Sequence, residues 1–223
     1  MSDYLAIHGY RLQKLHQLIS TLNLNKNSKI LDLGCYPDYL LKSLRKEFIH
    51  VYGVSSVREK ISDPKVKVLN LESDRLDYPA DTFDLVILSE VLEHLGTGVE
   101  KLFSDISRIL KPGAYFILTT PNAIRLHNLF ALILGKNIYF PLFQLEQHHN
   151  FRHQREYTLV EILSLTPPSL KSTQFQYLAA YPPFRDKVKS EAFFTRLGKW
   201  FFYGLLLLFP RRRDTLVLVF KKS

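Results

Sequence analysis

Residues 30–41 read ILDLGCYPDYLL, an apolar run that ends at a glycine and continues into leucines at helical spacing. The pattern predicts a strand, a turn and the start of a helix. In an open α/β sheet, ligands bind at the carboxyl ends of the strands, and a glycine such as Gly34 lets the backbone approach a ligand closely. The three-glycine dinucleotide pattern also needs glycines at positions 36 and 39, which are tyrosines. A nicotinamide oxidoreductase is therefore disfavoured.

Short apolar runs recur on both sides of this turn, and helical spacing separates several of them. Strands alternating with helices predict βαβ units and a mainly parallel sheet. An amphipathic helix is expected over 8–23, and further helices over 39–48, 99–110 and 158–165. Lys111-Pro112-Gly113 is expected to stop the third of these helices before a strand. The predicted strands are 29–33, 50–54, 66–69, 84–88, 114–119, 172–178 and 215–220.

Composition narrows the class of protein. The chain has 223 residues, of which 46% are hydrophobic and 23% charged, which is typical of one folded domain. The net charge of +9 is concentrated at 180–223, which carries ten basic and three acidic residues. The remainder is nearly neutral, and the three arginines beside the leucine-rich stretch lack the interleaved basic and aromatic residues of a stacking platform, so nucleic acid is an unfavoured partner. A single cysteine, no secretory leader and no apolar run of spanning length predict a cytoplasmic location.

Four segments in order resemble class I S-adenosylmethionine-dependent methyltransferases, in the group with an E-V-L-E-H-L segment after the fourth strand. They are ILDLGC (30–35), LESDRLDYPADTFDLVILSEVLEHL (71–95), ILKPGAYFILTTPN (109–122) and RHQREYTLVEIL (152–163). The resemblance implies an α/β, Rossmann-like fold with a seven-stranded mainly parallel sheet and helices on both faces. It implies one domain over 1–223, with a helix in 1–28, a cofactor-binding core over 29–122 and an acceptor cap from 123–157 and 180–210.

The same resemblance implies S-adenosylmethionine as the cofactor and places its binding residues at the strand ends. Glu72 and Asp74 are alternative carboxylates for the adenosine end, and His94, four residues beyond Glu90, is expected on the same helical face. The implied cofactor-binding residues are Asp32, Gly34, Cys35, Tyr36, Ser55, Glu72, Asp74, Ser89 and Glu90.

Two loops depart from the family pattern. The first loop carries Tyr36 and Asp38 where further glycines are usual, and the second strand is followed by Ser55 and Ser56 where an acid normally holds the ribose. A neutral hydrogen-bonding group is generally weaker than a charged one. A non-catalytic binding or scaffold protein on the same fold therefore stays open as an alternative, and RNA methylation ranks third.

A cluster of histidines and arginines at 148–157 is the candidate acceptor region. Histidine suits a general base because it titrates near neutral pH, so His149, His153 and His94 are the candidate bases. Arg152 and Arg155 suit an anionic acceptor, and Asn122 and Tyr157 complete the predicted substrate-binding set. No metal site is expected, because the histidines lie in a loop without cysteines. Thr158 and Glu161 have the spacing of a helix capping box.

The basic, aromatic segment 192–213 has a second interpretation beside a core helix. Its wide apolar side, its tryptophan and the adjoining Arg211-Arg212-Arg213 are typical of an interfacial membrane helix. The expected acceptor is an oxygen of a glycan, a lipid-linked precursor or another small molecule, handled by a peripheral protein at the inner membrane face.

Overall fold

A computed structural model describes residues 3–56, 63–139, 152–179 and 193–223. Seven strands form one sheet in the order β3-β2-β1-β4-β5-β7-β6. Their bounds are β1 Lys29–Leu33, β2 His50–Ser55, β3 Val66–Val68, β4 Phe83–Ser89, β5 Leu110–Pro121, β6 Leu170–Leu178 and β7 Thr215–Lys222. The helices are α1 Asp3–Ser20, α2 Tyr39–Leu44, α3 Val99–Ile109, α4 Leu126–Ile133, α5 Leu159–Leu165 and α6 Phe193–Leu208.

Strands β1 to β5 are parallel to their neighbours, whereas β7 is antiparallel to both β5 and β6. The central strands are mostly apolar on both sides because helices cover both faces of the sheet. One core cluster joins the sheet to α3 and α5, and a second joins the opposite face to α1 and α2. The predicted class, a seven-stranded mainly parallel sheet with helices on both faces, is confirmed.

Two local predictions are wrong. The Lys111-Pro112-Gly113 segment does not precede its strand, because β5 begins at Leu110 and includes all three residues. Glu90 and His94 do not share a helix face, since Glu90 has a left-handed φ of 54° and only Leu92–His94 form a short 3-10 turn. Helical spacing applies only where the backbone remains helical.

The strand order reverses between β1 and β4, and parallel strands on either side of this point end at one edge of the sheet. That edge is where the fold places a ligand. Helix α1 lies against the face that carries α2, so its buried side can reach the same edge. Among the described helices, none combines the length and the apolar character needed to span a bilayer.

Candidate functional site

The turn after β1 is fixed tightly against its neighbours. Gly34 has φ of 81°, and a Cβ at this position would overlap the side chain of Val91. The backbone N–H groups of Gly34 and Cys35 both donate to the carbonyl of Val54, at 2.8 and 3.0 Å. Only glycine combines this left-handed backbone with the close approach of a neighbour. The neighbour that requires glycine here is the side chain of Val91, and approach of a ligand to Gly34 stays a prediction.

Asp32 brings a buried carboxyl to the same edge. The residue is 3% exposed, and burial raises the pKa of its carboxyl to about 7. Within the described residues, no side chain or backbone N–H donates a hydrogen bond to it. An unpartnered buried carboxyl is costly for folding, so it is a group that a bound ligand can satisfy.

An arginine that the sequence analysis did not select reaches into the edge from α1. Arg11 Nη1 lies 3.0 Å from Glu90 Oε2, and both side chains are largely buried. The Arg11 Nε has no hydrogen-bond partner within the described part of the chain. Glu90 also accepts the Thr119 hydroxyl at 2.9 Å, and that hydroxyl contacts Ser89 Oγ at 2.9 Å. Arg11 lies four residues before the buried Leu15 and therefore on the apolar side of α1. A charged residue at such a position was the feature of the sequence that could have identified Arg11.

Glu93 is a second carboxyl that the sequence analysis missed. It is 1% exposed and accepts the Thr120 hydroxyl at 3.0 Å. Burial, reinforced by the charge of Glu90, raises the pKa of Glu93 well above its usual value. We call Arg11, Asp32, Glu90 and Glu93 the buried ionisable cluster. Two of its carboxyls, those of Asp32 and Glu93, have raised pKa values because burial disfavours their charged forms.

Next to this cluster lie two histidines. The His94 and His153 rings meet edge to face with centroids 5.2 Å apart. His94 Nδ1 lies 2.9 Å from the Arg152 carbonyl, and burial is the main reason that the pKa of His94 is lowered. One donor atom each from Glu93, His94 and His153 lie within 4.8 Å of one another, a spacing that could hold a metal ion.

His153 is held by a carboxylate. Its Nδ1 lies 3.0 Å from Glu156 Oε1, and Glu156 also accepts hydrogen bonds from Arg125 at 2.7 Å and Asn128 at 2.8 Å. Burial alone would raise the pKa of Glu156, but the His153 hydrogen bond and the Arg125 charge outweigh it and lower that pKa. Glu156 therefore stays ionised and fixes the orientation of the His153 ring.

The predicted substrate-binding residues do not all converge. The Asn122 amide donates to the carbonyls of Arg211 and Arg213, at 3.0 and 2.9 Å, so it holds the turn after α6. Arg155 is exposed and bonds Glu161 at 2.5 Å, while its guanidinium lies 5.5 Å from the Tyr157 ring. The arginine charge is thus already matched by a carboxylate. The Thr158–Glu161 capping box is confirmed in full.

The remaining cofactor candidates have structural partners. Glu72 Oε1 accepts the N–H groups of Gly96 and Thr97, at 2.7 and 3.3 Å. Asp74 accepts the N–H of Asn70 at 2.8 Å. Cys35 is buried in the core, and burial raises the pKa of its thiol to about 12.

Ser55 is buried at the end of β2, and Tyr36 is partly exposed in the turn after β1. His149 lies outside the described residues. The strand-end positions of Asp32, Gly34, Ser55, Ser89 and Glu90 remain predictions for cofactor contact.

The edge fits S-adenosylmethionine by the chemistry of its groups. The cofactor has an ammonium and a carboxylate at its amino-acid end, and the buried ionisable cluster offers carboxylates for the first and Arg11 for the second. The unpartnered oxygens of Asp32 and the Nε of Arg11 are polar atoms that such a ligand would satisfy.

Comparisons with known proteins agree with this geometry. A family model described as a methyltransferase domain matches residues 4–160. The mouse protein named ubiquinone biosynthesis O-methyltransferase, mitochondrial, is 32% identical over 124 residues, which cover 49% of this chain and 33% of that protein. Sterol 24-C-methyltransferase of Candida albicans is 26% identical over 113 residues, covering 45% of this chain and 30% of that protein.

Solved structures share the fold. The S-adenosylmethionine-dependent methyltransferase from Mesorhizobium loti superposes with a TM-score of 0.64 at 15% identity, covering 94% of this chain and 97% of that one. By contrast, the chain spans only about a third of the length of the curated mouse and Candida relatives.

Proposed function

The chain belongs to the family of methyltransferase domains, whose cofactor is S-adenosylmethionine, and from that premise we propose that it methylates an oxygen of a small, lipid-linked or glycan acceptor. The observation that carries the proposal is the His153–Glu156 pair beside the buried ionisable cluster. A histidine oriented by an ionised carboxylate is an arrangement for removing a proton. A hydroxyl acceptor must lose a proton when it gains a methyl group.

The proposed role of each residue follows from its position in the site. When bound, the cofactor supplies a methyl group on a positively charged sulfur. Arg11, Asp32 and Glu90 would hold its amino-acid end at the carboxyl edge of the sheet. His153 accepts the proton of the acceptor hydroxyl on the ring nitrogen that does not face Glu156. Methyl transfer is an in-line displacement, so the principal task of the protein is to position the two reactants.

The acceptor class draws on the relatives. The mouse relative is named for ubiquinone biosynthesis and the Candida relative for sterols, and both names refer to molecules with large apolar parts. An acceptor of this kind resides in a membrane, and we therefore propose a cytoplasmic protein that works peripherally at the inner membrane face. The exposed apolar side chains of α4 and α6 support this location.

Transfer of radiolabelled methyl groups tests the proposal. The purified chain is incubated with labelled S-adenosylmethionine and with either the organic or the aqueous extract of the source cells. We expect label in the organic extract and a matching yield of S-adenosylhomocysteine. His153→Gln should lower kcat about 100-fold with cofactor affinity unchanged. His50→Gln, at the opposite edge of the sheet, is the matched control and should retain full activity.

A non-catalytic role is the second candidate, and Tyr36, Asp38 and Ser55 are the positions that favour it. They replace the glycines and the ribose acid of the family pattern. Tight binding of S-adenosylmethionine with no S-adenosylhomocysteine from either extract would establish this candidate instead. Equal activity in His153→Gln and wild type would show that another group takes the proton.

A further inference from the structure

Among the described residues, the majority of the large apolar side chains that are exposed lie in two segments. Ten of fifteen fall within 130–139 and 200–209. Within the two segments the most exposed are Ile133 at 78%, Leu208 at 73%, Phe201 at 69% and Leu134 at 68%. We call the surface formed by these two segments the α4–α6 surface. Its members are Phe130, Leu132, Ile133, Leu134, Tyr139, Trp200, Phe201, Leu207, Leu208 and Phe209.

The two segments meet. The rings of Phe130 on α4 and Phe202 on α6 lie with centroids 6.2 Å apart. On α6, Phe201 and Leu208 are seven residues apart, so they lie on one side of the helix. Leu206 is buried and anchors the opposite side. Contiguous exposed apolar surface of this kind marks an interaction site rather than ordinary surface.

Charge identifies the partner. Residues 123–139 and 193–213 contain seven lysines and arginines and no acidic residue. Arg125 is neutralised by Glu156, and the Arg213 guanidinium donates to the carbonyls of Leu206 and Tyr177. Lys136 and Arg211 are exposed and lie within two residues of the exposed apolar Leu134 and Phe209 in sequence. An apolar helix side with tryptophan and a cationic rim complements an anionic lipid bilayer.

We infer that the α4–α6 surface docks on an anionic membrane, with α6 lying in the plane of the lipid headgroups. The surface adjoins the candidate site, because Asn122 directly follows β5, bonds the turn after α6 and precedes α4 by four residues. Docking would therefore bring the carboxyl edge of the sheet to the lipid. The inference rests on the proposed function only for its purpose, the delivery of a lipid-borne acceptor.

The test measures partition of the full chain into vesicles. Phosphatidylcholine vesicles are compared with vesicles in which about a third of the lipid is phosphatidylglycerol, at low and high salt. Wild type should sediment with the anionic vesicles and be released in part by salt. The double variant Ile133→Ser/Leu208→Ser should bind at least about tenfold more weakly. The matched control is Ile49→Ser/Val160→Ser, two exposed apolar side chains elsewhere, which should bind as wild type does.

Arg211→Gln tests the charge separately. It should weaken binding about fivefold and reduce the response to salt, since one basic residue near an anionic surface contributes about 1 kcal/mol. Equal sedimentation of the two double variants would overturn the inference. A wild-type dimer in solution that the Ile133→Ser/Leu208→Ser variant dissociates would also overturn it, in favour of a second copy as the occupant.

Calorimetric titration with S-adenosylmethionine separates this inference from the proposed function. All of these variants lie outside the buried ionisable cluster and should bind the cofactor as wild type does. Binding to vesicles without turnover would support the docking surface and contradict the proposed methyltransferase activity. Turnover of a soluble acceptor without binding to vesicles would support the methyltransferase activity and contradict the docking surface.

Discussion

The buried ionisable cluster and the α4–α6 surface depart from the usual distribution of residues in opposite ways. Folded proteins bury apolar side chains and expose charged ones. At the carboxyl edge of the sheet, Arg11, Asp32 and Glu93 are each at most 5% exposed. On the α4–α6 surface, Ile133 and Leu208 are more than 70% exposed. Each arrangement costs folding free energy, and each is relieved by a different kind of partner.

The difference shows how a partner can be recognised from energetics. Buried charge that lacks a full set of hydrogen bonds is compensated by a small polar ligand that enters between the strands. Exposed apolar surface is compensated by an extended apolar phase or another protein. Both regions flank residues 119–126, so the candidate cofactor site and the proposed lipid-facing surface are neighbours.

Among the variants that test buried charge, Glu156→Ala, next to the buried ionisable cluster, should lose the most stability. Its removal leaves the partly buried Arg125 without its counter-ion and His153 Nδ1 without its carboxylate partner. The Asn128 amide keeps only the Ala123 carbonyl as an acceptor. We expect about 3–5 kcal/mol less free energy of unfolding in urea. Asp77→Ala is the control, since its pair with Lys67 is exposed, and it should change stability by less than about 1 kcal/mol. Similar losses in the two variants would mean that burial of charge is not costly here.

Gly34→Ala should come next. A left-handed φ costs a non-glycine residue about 1–2 kcal/mol, and overlap with Val91 adds about 1–3 kcal/mol. The variant should also lose measurable affinity for S-adenosylmethionine in calorimetry. Gly135→Ala separates the two causes, because its φ is 68° but no atom lies within 4 Å of the added Cβ. If both variants lose the same stability, the contact with Val91 contributes nothing.

Asp32→Asn should change how stability depends on pH. The pKa of Asp32 is about 7 in the folded chain against 3.8 as the ordinary value, so the folded state holds a proton that the unfolded state releases. Wild type should therefore lose stability relative to the variant as pH rises from about 4 to about 7, by about 2–4 kcal/mol. Urea unfolding without cofactor across this range measures the difference. A pH-independent difference would contradict the burial of an uncompensated carboxyl.

The smallest expected change in stability concerns the contact between α4 and α6 in the α4–α6 surface. Phe130 and Phe202 join α4 to α6, and such a ring pair contributes about 0.5–1.5 kcal/mol. A double-mutant cycle with Phe130→Ala and Phe202→Ala should show coupling of about 1 kcal/mol in urea unfolding. Strictly additive losses would mean that the two helices do not support each other, and the α4–α6 surface would be two separate patches.

Much of the fold was predictable because the strands are short apolar runs with clear boundaries. All seven predicted strands occur, and the ends of β1 at Leu33 and β6 at Leu178 agree with the prediction. The segment after β4 was not predictable by helical spacing. There Glu90 adopts a positive φ and Val91 covers Gly34, and both depend on contacts with another strand end.

The candidate site was predictable in position but not in its charges. Arg11 pairs with Glu90 across 79 positions of sequence, and Arg125 pairs with Glu156 across 31. A charged residue in a sequence is expected to be exposed, and its burial becomes evident only when the distant partner is known. The family resemblance supplied Asp32, Gly34 and Glu90, while Arg11, Glu93 and Glu156 required the structure.

The position of β7 in the sheet has a consequence for synthesis of the chain. In the described sheet, β6 pairs with β7 alone, and β7 lies between β6 and β5. Before residues 215–222 emerge from the ribosome, β5 and β6 each have an open strand edge, because β7 is the strand that pairs with both. Open edges recruit other strands and favour aggregation. Expression yield should therefore depend on how fast this segment emerges, and a nascent chain stalled before residue 215 should be a strong client for chaperones.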